Sequence, residues 1–137
     1  MKLVLATQNP KKLKEMNEIL SHLGVEVVNE AELGVRIEVE ETGETFTDNA
    51  RLKATAVMQA TGLPAVADDS GLCVDALNGG PGVYSARFGG EGLDDKGRYT
   101  LLLEMLRGQT DRAAHFHTSI VCAFPNGDEL VLSLIHI

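Results

Sequence analysis

The stretch from Ala65 to Leu72 constrains this chain more than any other. Three apolar residues run directly into two neighbouring carboxylates, a hydroxyl and a glycine. Such a run predicts a buried strand, and the glycine after the acids predicts that the strand ends there in a tight turn. Adjacent carboxylates at a strand end can hold a hard cation such as Mg²⁺ or accept a proton from water. The alternative is an Asx-type turn in which Asp69 and Ser70 bond the local backbone.

The two carboxylates of this stretch, Asp68 and Asp69, are expected to differ in role. Side chains alternate along a strand, so the two should point to opposite faces unless the strand has already ended. One of them would then be a metal ligand or a base, and the other a supporting or turn residue. Two acids that follow an apolar strand favour a functional reading of the pair.

The first third of the chain alternates strand and helix signals. The apolar run from Leu3 to Ala6 predicts a central strand. Asn9 and Pro10 then suit the N-cap and first turn of a helix, which Gly24 should stop after Leu23. A second strand is expected over residues 25–28.

The rest of the chain continues this pattern and then changes. Val35, Ile37 and Val39 alternate, which suggests a strand, and a second helix is expected over residues 44–61. A third helix should cover residues 94–107, followed by two strands, 113–124 and 129–134, joined by a Pro-Asn-Gly-Asp turn. These elements predict one α/β domain over residues 1–137, with a mixed sheet and flanking helices.

Charge limits the possible partners. The formal net charge is −8, so we expect no nucleic acid partner, since such binders carry a basic face. An acidic protein that handles phosphates needs a metal or a local group of lysines. No apolar run approaches the roughly 20 residues that span a bilayer, so we expect no membrane association. Both cysteines lie in apolar runs, where buried reduced thiols are expected, and we therefore expect a cytoplasmic location.

Two polar segments are candidates for binding an anion. Thr7 to Lys12 follows a strand and opens a helix, where free backbone N–H groups and a partial positive charge can bind phosphate. The spacing of these residues is equally consistent with an ordinary N-cap followed by solvated lysines. Lys53, on the second helix, is either a phosphate contact or a surface lysine. Glu40 and Glu41 become metal ligands only if they meet another acid in space.

Several motifs in this order resemble the inosine triphosphate pyrophosphatase family, which removes deaminated purine nucleotides. The match runs from residue 3 to about residue 124. The matching segments are Thr7 to Lys12, Glu40 to Phe46, Asn49-Ala50, Lys53-Ala54, Ala67 to Leu72, and Gly80 to Arg87.

The resemblance implies an elongated, two-lobed mixed-sheet fold and a homodimer. It implies Mg²⁺-dependent hydrolysis of ITP, dITP and XTP to the monophosphate and pyrophosphate. By resemblance, Asp69 accepts the proton of the attacking water, and Glu40, Asp68 and Asp69 hold the metal, although the choice within Glu40/Glu41 and within Asp68/Asp69 stays open. The substrate contacts would be Thr7, Gln8, Asn9, Pro10, Lys11, Lys12, Lys53 and Ser70.

The sequence departs from this family at its end. Family members continue through a Phe-Gly-Tyr-Asp-Pro segment and a Ser-His-Arg segment that hold the base, and this chain has neither. We therefore expect a truncated reading frame in which residues 133–137 are a candidate foreign tail. The alternative function is an inactive nucleotide-binding or interaction fragment without a base pocket. A third hypothesis, a phosphatase that uses Asp69 as nucleophile, predicts orthophosphate as its product.

Overall fold

The computed structural model describes residues 1–7, 9–90 and 92–137. The elements are β1 Lys2–Leu5, α1 Pro10–Leu20, β2 Glu26–Asn29, α2 Phe46–Thr61, β3 Ala65–Val74, β4 Gly80–Pro81, α3 Asp95–Met105, β5 Ala114–Ala123 and β6 Glu129–His136. Parallel pairing of β1 with β2 and β3, and antiparallel pairing of β3 with β4, make the sheet mixed. The strand order is β2-β1-β3-β5-β6, with β4 on β3. The predicted α/β fold with a mixed sheet and flanking helices is thus confirmed.

The chain divides into two compact units. The first comprises Met1–Asp69 and Ser119–Ser133, and the second comprises Ser70–Thr118 and Leu134–Ile137. The second unit contains β4, α3 and a 3₁₀ segment from Gly82 to Arg87. Of the residues suggested as a foreign tail, 133–136 belong to β6, in which every residue is exposed.

The core of the first unit has one layer of side chains on each face of the sheet. Leu3, Leu5 and Val66 pack towards α1, together with Leu13 and Met16. The alternate residues of the same strands form the other layer. These are Val4, Val28, Ala65 and Ala67, which pack with Ala50, Ala54 and Val57 of α2. Each face is therefore covered by one helix, as the period-2 alternation of a strand requires.

Short polar residues and glycines set the helix ends as expected. The side chain of Asn9 accepts a hydrogen bond from Lys11 N, and Pro10 is the first residue of α1. After α1, a 3₁₀ turn ends at Gly24, whose φ is 72°. Gly62, with φ 70°, ends α2 in the same left-handed conformation, which costs glycine little.

The prediction that the central strand ends at its acids is wrong. β3 continues from Ala65 through Asp68 and Asp69 to Val74, so no Asx turn forms there. The segment 35–39, in contrast, forms no strand, although its side chains alternate between half-buried and exposed. Ile37 packs on the layer of Val4 and Val57, so core packing alone, without a sheet ladder, accounts for the alternation.

Candidate active site

The continuation of β3 separates its two carboxylates. Asp68 follows Val66 on the α1 face, where its Oδ2 accepts a hydrogen bond from Lys12 Nζ at 2.8 Å. Asp69 follows Ala67 on the α2 face, and its Oδ2 accepts a hydrogen bond from Asn49 Nδ2 at 3.2 Å. The prediction that the two side chains point to opposite faces of a continuous strand is confirmed.

Lys53 of α2 lies among the acidic residues Glu41, Asp68 and Asp69. Its Nζ donates to the carbonyl oxygen of Asp68 at 2.6 Å and lies 3.2 Å from Glu41 Oε1. Its side chain is only 22% exposed. The reading of Lys53 as a solvated surface lysine is therefore wrong. The helix places this lysine where the acidic loop 40–43 and β3 meet.

Of the two adjacent acids in that loop, Glu41 is the one that faces the site. Glu41 is half-buried and pairs with Lys53, and its negative charge acts on Asp69. Glu40 is exposed. The sequence left the choice between the two open.

Burial and a like charge raise the pKa of Asp69 above its usual value. Desolvation is the largest cause, followed by the charge of Glu41, while Lys53 and the hydrogen bond from Asn49 act in the opposite direction. Burial disfavours a charged carboxylate because it removes water. A raised pKa brings the group closer to neutral pH, where a general base works best.

The other predicted substrate residues lie at the start of α1 and on β3. Thr7 Oγ1 accepts from Asn9 N at 3.2 Å, and Asn9 caps the helix, so an ordinary N-cap is present. Pro10 and Lys11 are exposed at the helix start. Ser70 is exposed and belongs to the second unit. Gln8 lies outside the described residues.

Two cavities of the first unit are lined in part by Thr7. One, of about 440 Å³, is lined mainly by the segment from Asn29 to Arg36. The other, of about 280 Å³, has Lys53 in its wall together with Ile37, Val39 and Val57. The walls of both cavities mix apolar and polar side chains, and Glu30 lines each of them.

The donor set suits a hard cation. Glu41 and Asp69 are partly buried carboxylates whose negative charges disfavour each other, and Mg²⁺ prefers such oxygens. Within the described parts of the chain, no group of three or more His, Cys, Asp or Glu side chains is arranged to hold a metal. Mg²⁺ usually keeps several waters and binds one or two carboxylates together with substrate phosphates, so two carboxylates suffice.

Sequence reasoning missed one residue of this site, Asn49. It was part of the family resemblance, but no role was assigned to it. Asn49 is buried on the inner face of α2, three residues after Phe46 and four before Lys53. A polar amide at an inward-facing helical position was the available signal, since buried polar groups need partners.

The raised pKa of Asp69 predicts a stability change with a definite sign. An unfolded aspartate ionises near pH 3.9. Between that pH and the raised pKa of Asp69 in the folded protein, the carboxyl group is ionised in the unfolded state but still protonated in the folded state. Stability therefore falls as the pH rises through this window, and the loss persists above it. In metal-free buffer, Asp69→Asn, which cannot ionise, should melt at a higher temperature than the parent at pH 7, and the difference should vanish by about pH 3.

Thermal unfolding followed by circular dichroism at both pH values tests this expectation. Asp95→Asn is the matched control, because the Asp95 side chain is 96% exposed and forms a surface ion pair with Arg98. Its effect should stay within about 0.5 kcal/mol, as is usual for surface positions. A lower melting temperature for Asp69→Asn than for the parent at pH 7 would contradict the assigned direction.

Known proteins resemble this chain over almost its whole length. The sequence model of the Ham1 family matches residues 3–134. A dITP/XTP pyrophosphatase of Desulforamulus reducens is 54% identical over 129 residues, 93% of this chain and 64% of that protein. One from Leptospira interrogans is 47% identical over 127 residues, again 93% of this chain but 62% of the relative. The chain thus spans less than two thirds of the length of these two relatives.

A solved structure agrees with the fold. The HAM1 protein from Coxiella burnetii superposes with a TM-score of 0.93 at 41% sequence identity, and the match covers 99% of this chain and 71% of that one. No helix among the described residues is both long and apolar enough to cross a membrane.

Proposed function

The chain belongs to the Ham1 family, and we propose that it hydrolyses deaminated purine nucleoside triphosphates such as ITP, dITP and XTP to the monophosphate and pyrophosphate. One observation carries the proposal: carboxylates from the acidic loop and β3 gather around lysines of two helices, all within the first unit. Hydrolysis of a phosphoanhydride bond needs this combination of hard oxygen ligands and positive charge. The two bacterial relatives are dITP/XTP pyrophosphatases, which supports the choice of substrate.

Glu41 and Asp69 are the carboxylates that would hold Mg²⁺, and Glu40 and Asp68 remain predicted ligands. When bound, the ion would polarise the phosphate oxygens and lower the pKa of a bound water. The homodimer and the cytoplasmic location implied by the family also remain predictions.

Asp69 would act on the attacking water. Its carboxylate accepts a proton as the water oxygen bonds to the α-phosphorus, and the bond from that phosphorus to the bridging oxygen breaks. The position of Asp69, which is hydrogen-bonded to Asn49 and lies close enough to Glu41 to feel its charge, supports this role. Asn49 engages one carboxylate oxygen, Oδ2, in a hydrogen bond.

Lys12 and Lys53 would offset the negative charge of the leaving pyrophosphate. Each ammonium now lies against a carboxylate, Lys12 on Asp68 and Lys53 on Glu41. Fixed positive groups close to developing charge stabilise it without reorganising solvent. Thr7 and Lys53 line the same cavity, which supports a contact of Thr7 with the same ligand.

Product analysis tests the proposal. The purified protein should convert ITP, dITP and XTP to equal amounts of monophosphate and pyrophosphate, faster than ATP, and EDTA should stop the reaction until Mg²⁺ is restored. Orthophosphate as the product would contradict it. Calorimetric binding of ITP without any turnover would favour the nucleotide-binding alternative instead.

A further inference from the structure

Asn49 is an unusual occupant of the inner face of α2. Its side chain is completely buried, at 0% exposure, beside the alanines that face the sheet. Burying an amide in an apolar layer is unfavourable unless its polar atoms find partners. Asparagine is also a weaker helix former than the alanine that follows it. Packing alone therefore does not explain this residue.

The two ends of the Asn49 amide bind the acidic loop on one side and β3 on the other. Its Oδ1 accepts a hydrogen bond from the backbone N of Gly43 at 2.7 Å, and its Nδ2 donates to Asp69 Oδ2 at 3.2 Å. A backbone N–H can only donate and a carboxylate can only accept, so a flipped amide would lose both bonds. The orientation of the side chain is thus determined by its neighbours.

Gly43 permits this close approach. A Cβ added to Gly43 would lie 2.6 Å from Asp48 Cβ and 2.7 Å from Asn49 Oδ1. Real Cβ atoms do not come that near, so the loop can rest on α2 only where this residue has no side chain. Glu41 lies two residues before this anchor and reaches Lys53 from it.

We propose that Asn49 is a positioning residue that fixes the carboxylate of Asp69 and the loop of Glu41 in one arrangement. The inference depends on the proposed function, because it assigns these two acids to the reacting site. Asn49 would not touch the substrate. It would hold Asp69 in one rotamer and keep the loop from drifting away from β3.

Two variants and a matched control separate positioning from ordinary stability. Asn49→Leu introduces an apolar side chain of similar size and removes both hydrogen bonds. Asn49→Asp keeps an acceptor for Gly43 N but places a second carboxylate against Asp69. The control is Asn17→Leu, since the Asn17 amide also makes two bonds, both to the backbone of Val27, at 2.8 and 3.0 Å.

Turnover of XTP per folded molecule is the first measurement. Both Asn49 variants should lower kcat by about 100-fold, the scale expected for a misplaced reacting group. Their affinity for an analogue with a non-cleavable α–β bridge, measured without Mg²⁺, should change little, because Asn49 itself would contact no ligand. Asn17→Leu should keep the parent kcat. An Asn49→Asp or Asn49→Leu protein with the parent kcat would overturn the proposal.

Amide hydrogen exchange gives a readout that needs no turnover. In Asn49→Leu the Gly43 amide should exchange at least about tenfold faster than in the parent, as expected for a local opening of the loop. In Asn17→Leu it should not change. Unchanged Gly43 exchange in Asn49→Leu would contradict positioning. If the leucine variant does not fold, a parent-like kcat in Asn49→Asp would contradict it, because that variant keeps an acceptor for Gly43 N but repels Asp69. Failure of the proposed function would appear separately, as a parent that does not release pyrophosphate.

Discussion

Asp69→Asn is expected to lower kcat for pyrophosphate release by about 10²- to 10⁴-fold, the usual contribution of a general base. Asparagine has nearly the same shape as aspartate and can still accept the hydrogen bond from Asn49. It cannot take a proton from water. Steady-state assays with XTP, ITP and dITP at saturating Mg²⁺ would measure the loss.

The predicted gain in stability makes this experiment easier to interpret. If Asp69→Asn melts at a higher temperature than the parent at pH 7, lost activity cannot be blamed on unfolding. Asp95→Asn should keep the activity of the parent, because its carboxylate is exposed on α3. Near-normal Mg²⁺-dependent pyrophosphate release by Asp69→Asn would show that Asp69 is not the base. A trapped phospho-enzyme in the parent would favour the nucleophile hypothesis.

Ala54→Leu is expected to destabilise the fold by about 1–3 kcal/mol, the usual cost of forcing extra methylenes into a filled core. Ala54 is 0% exposed and packs with Ala67 and Val121 of the sheet. The filled core has no space for the three added carbons, so α2 must move away from β3. Lys53, the preceding residue, should then lose its contact with Asp68, and activity should fall together with stability.

Urea unfolding measures the change in free energy. The control is Ala60→Leu on the same helix, where the side chain is exposed and leucine forms helix almost as well as alanine. It should shift stability by no more than about 0.5 kcal/mol. A stability of Ala54→Leu equal to that of Ala60→Leu would mean that α2 does not pack as tightly as its alanines indicate.

Much of the fold could be predicted because local chemistry and tertiary structure agree. Asn9 and Pro10 begin α1, and Gly62 ends α2, where each residue type has a direct physical reason to do so. The predicted turn at residues 125–128 also forms, with Phe124 N donating to Asp128 O. These signals depend on a few neighbouring residues, and a sequence displays them fully.

The errors arose where distant parts of the chain decide the structure. Asp68 and Asp69 are poor strand residues, yet β3 continues through them because it belongs to a sheet between neighbouring strands. Ile37 and its alternating neighbours had a strand pattern but no ladder partner.

The candidate site was predictable in its residue types and less so in its contacts. The pairing of Lys12 with Asp68 spans 56 positions, and no local pattern encodes it. The packing of α2 likewise determines that Glu41, rather than Glu40, faces Lys53. It also determines that Asn49 is buried between Gly43 and Asp69. Sequence identified the group of charged residues, and only the fold determined which of them meet.

Lys12 and Lys53 already have negative partners, so an approaching polyphosphate meets a neutralised surface rather than bare positive charge. It has to compete with Asp68 and Glu41, and each ammonium that changes partner releases one carboxylate. Dissolved salt weakens the old contacts and the new ones alike. Ionic strength therefore weakens both the contacts that are lost and those that form. The affinity for a polyphosphate should depend less on salt concentration than it would if both lysines were unpaired.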